Sequence, residues 1–301
     1  MTTCSTNVTE PLAGTAKTGT FYVALEHLHG WGRDVSDGEA FGHELNEKIT
    51  AHLRAARASL QLIRKPGRSG QHRKQRWLYL CYTGDGHTEP WMEKMAVDGP
   101  EDLLRLDLSG PGRNTHLGAQ PTEDPIVLVC THGKRDKCCA LKGRPLAAAM
   151  QTCFYGDDVW ESSHTKGHRF APSMIVLPWG YSFGRLASDP AIEMLKTFHQ
   201  GQLFLPGNRG RGCFDAPGQV AELVVANALI GEGETVAPGS LIVEAADNEH
   251  EKSAGEALRR VIHPDGRTWD VYLEQRDVNN VITSCGDEPK KGRAWVAVSG
   301  A

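Results

Sequence analysis

The pattern of apolar and polar positions divides the chain into short segments of both secondary-structure types. Residues 21–28 are apolar enough for a strand, and 30–38 carry loop residues, with Ser36 and Glu39 spaced as a capping box. Leu45, Ile49, Leu53, Ala56 and Leu60 recur at helical spacing and predict an amphipathic helix of about five turns. Residues 77–82 and 103–108 read as strands, which makes 20–120 an α/β region. After the breakers Gly118, Pro121 and Pro125, the run 126–129 is short, apolar and bounded by turn residues, as a central strand should be. A helix over 141–152 starting near Pro145 follows, then a strand at 159–161. Residues 174–177 and 181–186, separated by Pro178-Trp179-Gly180, predict a β-hairpin, and helices are expected over 190–200 and 217–229.

The flanks are less informative. Residues 1–19 are Thr-rich with little to bury and read as a disordered leader. The stretch 231–239 (GEGETVAPG) reads as a linker, and 233–301 as an appended, net acidic region with strand-like pieces at 241–244, 269–273 and 294–298. No chemistry stands out in that region. The order β-α-β-β-β-α within 121–232 is that of a thioredoxin-like domain. Pro172, just ahead of the hairpin, stands where that fold commonly carries a cis-proline.

Composition narrows the class. With 301 residues, 40% hydrophobic and 23% charged, the chain is an ordinary globular one, not collagen-like, coiled-coil or wholly disordered. A formal net charge of −4 gives no drive toward nucleic acid or membranes. The apolar runs fall far short of the roughly 20 residues a membrane span needs, and residues 1–19 lack a signal-peptide core. A cytoplasmic protein without structural disulfides is therefore expected. One local exception is the stretch from Lys48 to Gly84, with nine Lys or Arg and no acidic residue. A solvated basic face is the first expectation there, a docking patch for an acidic partner the second.

Eight cysteines are the first sign of chemistry, and none of them fall at C-x-x-C spacing, which argues against a dithiol oxidoreductase and a common zinc finger. Cys4, Cys81, Cys153, Cys213 and Cys285 read as ordinary small apolar residues. The informative clump is Cys130, Cys138 and Cys139, followed by His164 and His168. Cys130 ends a predicted strand, and Gly133 lets the next loop curl back toward it. Neighbours in a helical turn point about 100° apart, so only one of Cys138 and Cys139 can readily join Cys130. In a loop, Gly167 would let both imidazoles converge, and His132 is expected to do no more than support a ligand. Two thiolates with two imidazoles suit zinc or an iron–sulfur cluster, and spacing leaves the two about even.

The stretches VCTHGKRDKCCALKGRPLA and VWESSHTKGHRFAPSMIVLPWGYSFGRL closely resemble the sucrase/ferredoxin-like family, also called thioredoxin-like ferredoxins. The earlier EHLHGWGRD and the later RGRGCFDAPGQVAE look like the same family, so the resemblance spans about residues 20–230. It implies a thioredoxin-like ferredoxin domain, preceded by an α/β region and followed by a small α+β tail. It also implies a 2Fe-2S cluster unrelated to Rieske proteins. The family's cysteine spacing selects Cys130 and Cys139, and its histidine pair falls on His164 and His168; Lys166 replaces the first glycine of that motif.

The reading that results is a one-electron carrier with a redox partner protein, in which electron transfer is coupled to protons through the imidazoles. Lys134, Arg135, Lys137, Lys142, Arg144, Lys166 and Arg169 surround the four residues in sequence and suit an acidic partner. No catalytic acid, base or nucleophile stands out, and no spaced carboxylate pair argues for glycoside hydrolysis. The alternatives are structural zinc on the same residues, or a thioredoxin-type enzyme using the thiol of Cys138 or Cys139.

Overall fold

The computed structural model describes residues 4–298, apart from 7, 29, 68, 69, 71 and 247–254. The first half contributes β1 (Phe21–Glu26), α1 (His43–Ala55), β2 (Ala58–Arg64), β3 (Arg76–Tyr82), β4 (Trp91–Val97) and the short β5 (Gln120–Pro121). Every residue of β1 is buried. Val23 and Leu25 pack with Ile49 and Leu53 of α1, while Tyr22 and Ala24 join a core with Trp160 and Ile175 from the second half. A strand buried on both faces reads as a continuous apolar run, which is why FYVALE shows no alternation.

The second half runs β6 (Ile126–Cys130), α2 (Arg144–Cys153), β7 (Val159–Ser162), β8 (Ser173–Leu177), β9 (Tyr181–Gly184), α3 (Ser188–His199), β10 (Asn208–Arg211) and α4 (Ala216–Gly231). Here β6 pairs parallel with β7 and antiparallel with β8, which pairs antiparallel with β9. The first half repeats that connectivity: β1 pairs parallel with β2 and antiparallel with β3, which pairs antiparallel with β4. The halves meet where β2 pairs antiparallel with β7, Ile63 opposite Ser162 and Arg64 opposite Glu161. One sheet of ten strands results, ordered β10-β9-β8-β6-β7-β2-β1-β3-β4-β5.

A four-stranded antiparallel sheet completes the chain: β11 (Ile242–Ala245), β12 (Glu256–Ile262), β13 (Thr268–Val281) and β14 (Lys290–Ala297). Val261, Val271 and Leu273 of this sheet share a core with Val225 and Leu229 of α4.

Several expectations need correction. The helix expected to reach Leu60 stops at Ala55, because Arg57 takes a positive φ of 53° and the chain turns into β2. Residues 100–105 form a 3₁₀ helix rather than a strand, with Pro100 opening it and Asp102 accepting from the Gly99 amide. Ser36 caps no helix; Asp34 and Asp37 bind backbone amides there, and α1 begins at His43. The tail expected to be α+β holds strands but no helix among its described residues, and β12 had no sequence signal strong enough to name it. The stretch read as a disordered leader is packed in its described part: Cys4 and Ser5 are buried, and Glu10 holds Arg169 through two bonds of 2.6 and 2.8 Å. The basic stretch is a solvated face only in part: Lys48, Arg54, Arg57 and Lys74 are exposed, and others are paired. Arg64 pairs with Glu161 at 2.8 Å, Arg73 pairs with Asp157 at 3.1 Å, and buried Lys65 donates to the carbonyls of Gly156 and Val159. Two X-Pro bonds are cis, the one expected at Pro172 and a second at Pro178.

Glu222 of α4 is fully buried and accepts a 2.6 Å bond from the Tyr181 hydroxyl. Burial pushes its carboxyl from 4.5 up to about 7, against the opposing effects of Arg211 and Tyr181. A folded pKa above the unfolded one means that stability present at low pH is lost as pH rises from about 4.5 to about 7. Relative to Glu222→Gln, the wild type should therefore lose up to about 3 kcal/mol across that window. Denaturant unfolding of both proteins at the two pH limits checks this, and parallel curves would overturn it.

Candidate metal centre

Cys130 is the last residue of β6, and His164 follows β7 by two residues. Since β6 and β7 are parallel neighbours with Cys130 opposite Ser162, both residues emerge at the same end of the strands. Cys139 opens a single π-helical turn, Cys139–Gly143, that leads into α2. Single π turns widen a helix locally and recur at functional sites. The turn sits against the end of β6: a Cβ on Gly143 would lie 2.1 Å from the Cys130 carbonyl oxygen, so only glycine fits.

One ligand atom each from Cys130, Cys139 and His164 lies within 4.8 Å of the other two. Both sulfurs are fully buried. His168 is not one of this trio, but its ring centroid is 5.2 Å from that of His164. The Nδ1 atoms of both imidazoles are buried and have no hydrogen-bond partner. Buried polar atoms are normally satisfied, so these nitrogens are free to act as ligands, and Cys130, Cys139 and His164 form a group that could hold a metal ion. The hydrogen bond from the Cys139 thiol holds Cys130 below the usual thiol range; burial opposes this, and His164 and the His132 amide reinforce it. Cys139 is correspondingly raised by Cys130 and by burial.

The loop carrying the histidines is braced from below. Lys166 and Gly167 both take positive φ, 58° and 114°, and a Cβ on Gly167 would lie 2.5 Å from the Arg209 guanidinium. Buried Arg209 donates to the Lys166 carbonyl at 3.1 Å, to Ser173 at 3.3 Å and to both oxygens of Thr15. The other side is set by the GWGRD segment: His132 Nε2 lies 2.5 Å from the Gly32 carbonyl, and the Trp31 ring stands edge-on to that imidazole at 5.9 Å. His132 therefore supports the loop rather than facing the trio.

His168 is also held by the tail, where the sequence showed no chemistry. Its Nε2 lies 2.9 Å from Ser284 Oγ and 3.9 Å from Asp136 Oδ2. Burial lowers the His168 pKa, partly offset by Asp136. Asp136 would be raised by burial, but the amides of Cys285 and Cys138 hold it below the usual carboxylate range.

Cys138 turns away from Cys130, as adjacent residues in a helical turn must. It meets Cys4 at 3.5 Å and Cys285 at 3.1 Å, and with Asp136 these form a second group whose ligand atoms lie within 4.8 Å of one another. Nothing in spacing could have revealed it, since Cys4 and Cys285 are 134 and 147 residues from Cys138.

A mixed α/β protein carrying two Cys-rich groups that could hold a metal ion is thus defined. The family model for sucrase/ferredoxin-like proteins matches residues 12–210, and the chain belongs to that family. No curated protein and no solved structure matches it. No helix among the described residues is long and apolar enough to cross a membrane.

The fit of Gly143 against Cys130 is directly testable. Gly143→Ala forces the π turn away from β6 and should cost about 1–3 kcal/mol of stability, with loss of bound metal. Thermal unfolding and metal analysis read both effects; an unchanged metal content would mean that this contact does not set the site.

Proposed function

We propose that the chain is a one-electron carrier whose Cys130, Cys139, His164 and His168 hold a 2Fe-2S cluster in a thioredoxin-like domain over residues 121–232. The observation that carries this reading is the grouping of two buried thiols with His164, with the His168 ring 5.2 Å from that of His164 and both buried Nδ1 atoms without a hydrogen-bond partner. Soft sulfur with imidazole suits iron–sulfur chemistry and disfavours magnesium or calcium. The thioredoxin-like assignment is supported by the pairing order β9-β8-β6-β7, with α2 between the parallel pair and α3 after β9. A thiol enzyme working through Cys138 or Cys139 is disfavoured by burial, since both side chains are closed to an external substrate.

When bound, the cluster supplies a one-electron couple; the protein's part is to hold it, set its potential and present it. Two neutral imidazoles in place of two thiolates remove negative charge and favour the reduced state. In Rieske centres the same exchange moves potentials from about −400 mV to between about −150 and +300 mV. His168 Nε2 faces Ser284 Oγ at 2.9 Å and Asp136 Oδ2 at 3.9 Å, which gives proton exchange a defined atom. Lys134, Arg135 and Arg169 are engaged by Glu39, Asp34 and Glu10, whereas Lys137, Arg144 and Lys166 are exposed. Exposed cations are what an acidic redox partner would dock against.

Visible absorption and electron paramagnetic resonance of anaerobically purified protein test the reading. A red-brown protein is expected, with a reduced-state signal lost in Cys139→Ala and shifted in His168→Cys. The midpoint potential should fall with pH by up to about 59 mV per unit once the imidazole proton exchanges. A colourless protein with zinc at these four residues would overturn the carrier reading, and a pH-independent potential would remove the proton coupling.

A further inference from the structure

We propose that Cys4, Cys138, Cys285 and Asp136 form a second metal site, structural and tetrahedral, for a zinc-class divalent ion. It is separate from the cluster ligands and does not depend on the reading of them. The three sulfurs are mutually close: Cys4 to Cys138 at 3.5 Å, Cys138 to Cys285 at 3.1 Å and Cys285 to Cys4 at 3.6 Å. Asp136 Oδ1 completes the figure, 3.2 Å from the Cys285 sulfur and 3.9 Å from that of Cys4. Sulfurs about 2.3 Å from a tetrahedral zinc stand about 3.8 Å apart, and a sulfur and an oxygen about 3.5 Å apart. The sulfur–sulfur edges, 3.1 to 3.6 Å, are somewhat tighter than the first value, as expected before an ion spreads them, and the sulfur–oxygen edges, 3.2 and 3.9 Å, bracket the second.

Neutral thiols give no comparable reason to converge. A thiol is a weak donor and a weak acceptor, so three of them from remote parts of the chain gain little by meeting. Cys4 lies in an N-terminal 3₁₀ turn, Cys138 just before the π turn, and Cys285 in the connection between β13 and β14. Cys4, Cys138 and Asp136 are at most 6% exposed. The carboxylate is already oriented, because it accepts from the Cys138 amide at 2.9 Å and the Cys285 amide at 3.0 Å. Three thiolates and one carboxylate around a divalent ion carry the same formal charge as a four-cysteine zinc site. Cys4 and Cys285 lie outside the residues matched by the family model, whereas Asp136 and Cys138 lie within them.

A metal here would act as a clasp. It would tie the N-terminal turn and the tail to the loop between Cys130 and Cys139, and fix Ser284 and Asp136 against His168. The full chain, purified without chelator from zinc-supplemented medium, should hold one equivalent of zinc by elemental analysis. Cys4→Ser and Cys285→Ser should lose that zinc and keep their iron; Cys139→Ala should lose iron and keep zinc. Asp136→Asn is the milder variant should either serine variant fail to fold, and zinc in it should fall at least tenfold in affinity. Cobalt(II) in place of zinc gives an independent readout, an intense thiolate charge-transfer band that weakens in Cys4→Ser. Zinc content unaffected by these variants, absence of zinc after equilibration with the ion, or a Cys138–Cys285 disulfide in non-reduced peptide maps would each overturn the site. Zinc without iron in the wild type would uphold it and count against the cluster instead.

Discussion

The pairing of β2 with β7 is the contact on which the rest of the structure depends. Two halves with the same connectivity meet there, and the seam is polar as well as hydrogen-bonded. Arg64 and Glu161 pair across it, the Leu62 amide donates to Ser163 Oγ, and the Ser163 amide donates to the Leu62 carbonyl. The seam extends to the residue immediately before His164, so the interaction that fuses the sheets also fixes the start of the histidine loop. Glu161 is buried, receives Arg64, and accepts from Thr131, the residue after Cys130. Both strands that deliver candidate ligands are thus tied to one ion pair.

Charge is handled internally to an unusual degree around this seam. Buried ions are costly unless paired and hydrogen-bonded. Arg209 meets that requirement through backbone carbonyls and hydroxyls, while Arg169, Arg185 and Arg209 surround the Phe170 ring at 4.3, 5.1 and 4.7 Å. Glu10 draws two of these guanidiniums toward the N-terminal segment. The histidine loop is consequently stiffened by a cationic scaffold. Its strained Lys166-Gly167 backbone is held by the same contacts that lend positive potential to the site.

The two Cys-rich groups share a wall. Cys138 and Cys139 are adjacent, and Asp136 faces the second group with both oxygens while its Oδ2 also lies 3.9 Å from His168 Nε2. Any change in one group is therefore felt at an imidazole of the other through a single carboxylate. The N-terminal segment and the β13–β14 connection both end on this wall, which gives the small antiparallel sheet a role: it carries Ser284 and Cys285 to the site.

How much of this was legible differs by scale. The strand runs at β1, β3, β6 and β7 and the helices α2, α3 and α4 follow from apolar patterning. Local spacing singles out Cys130, one of Cys138 and Cys139, and the two histidines; the choice of Cys139 is what the family resemblance implies. Leu60 misled because its periodicity fits a helix while Arg57 breaks one. Residues 103–108 misled because a short Leu-rich run serves a 3₁₀ turn as well as a strand. The sequence by itself determined the α/β class, the main elements and the Cys/His clump, without choosing between Cys138 and Cys139, because each depends on neighbours within a few positions. Only the tertiary structure decided that the halves share one sheet, that Cys138 turns from Cys130 toward Cys4 and Cys285, and that Ser284 reaches His168. Those contacts join residues more than a hundred positions apart, and local physics carries no record of what the folded chain brings together at such separations.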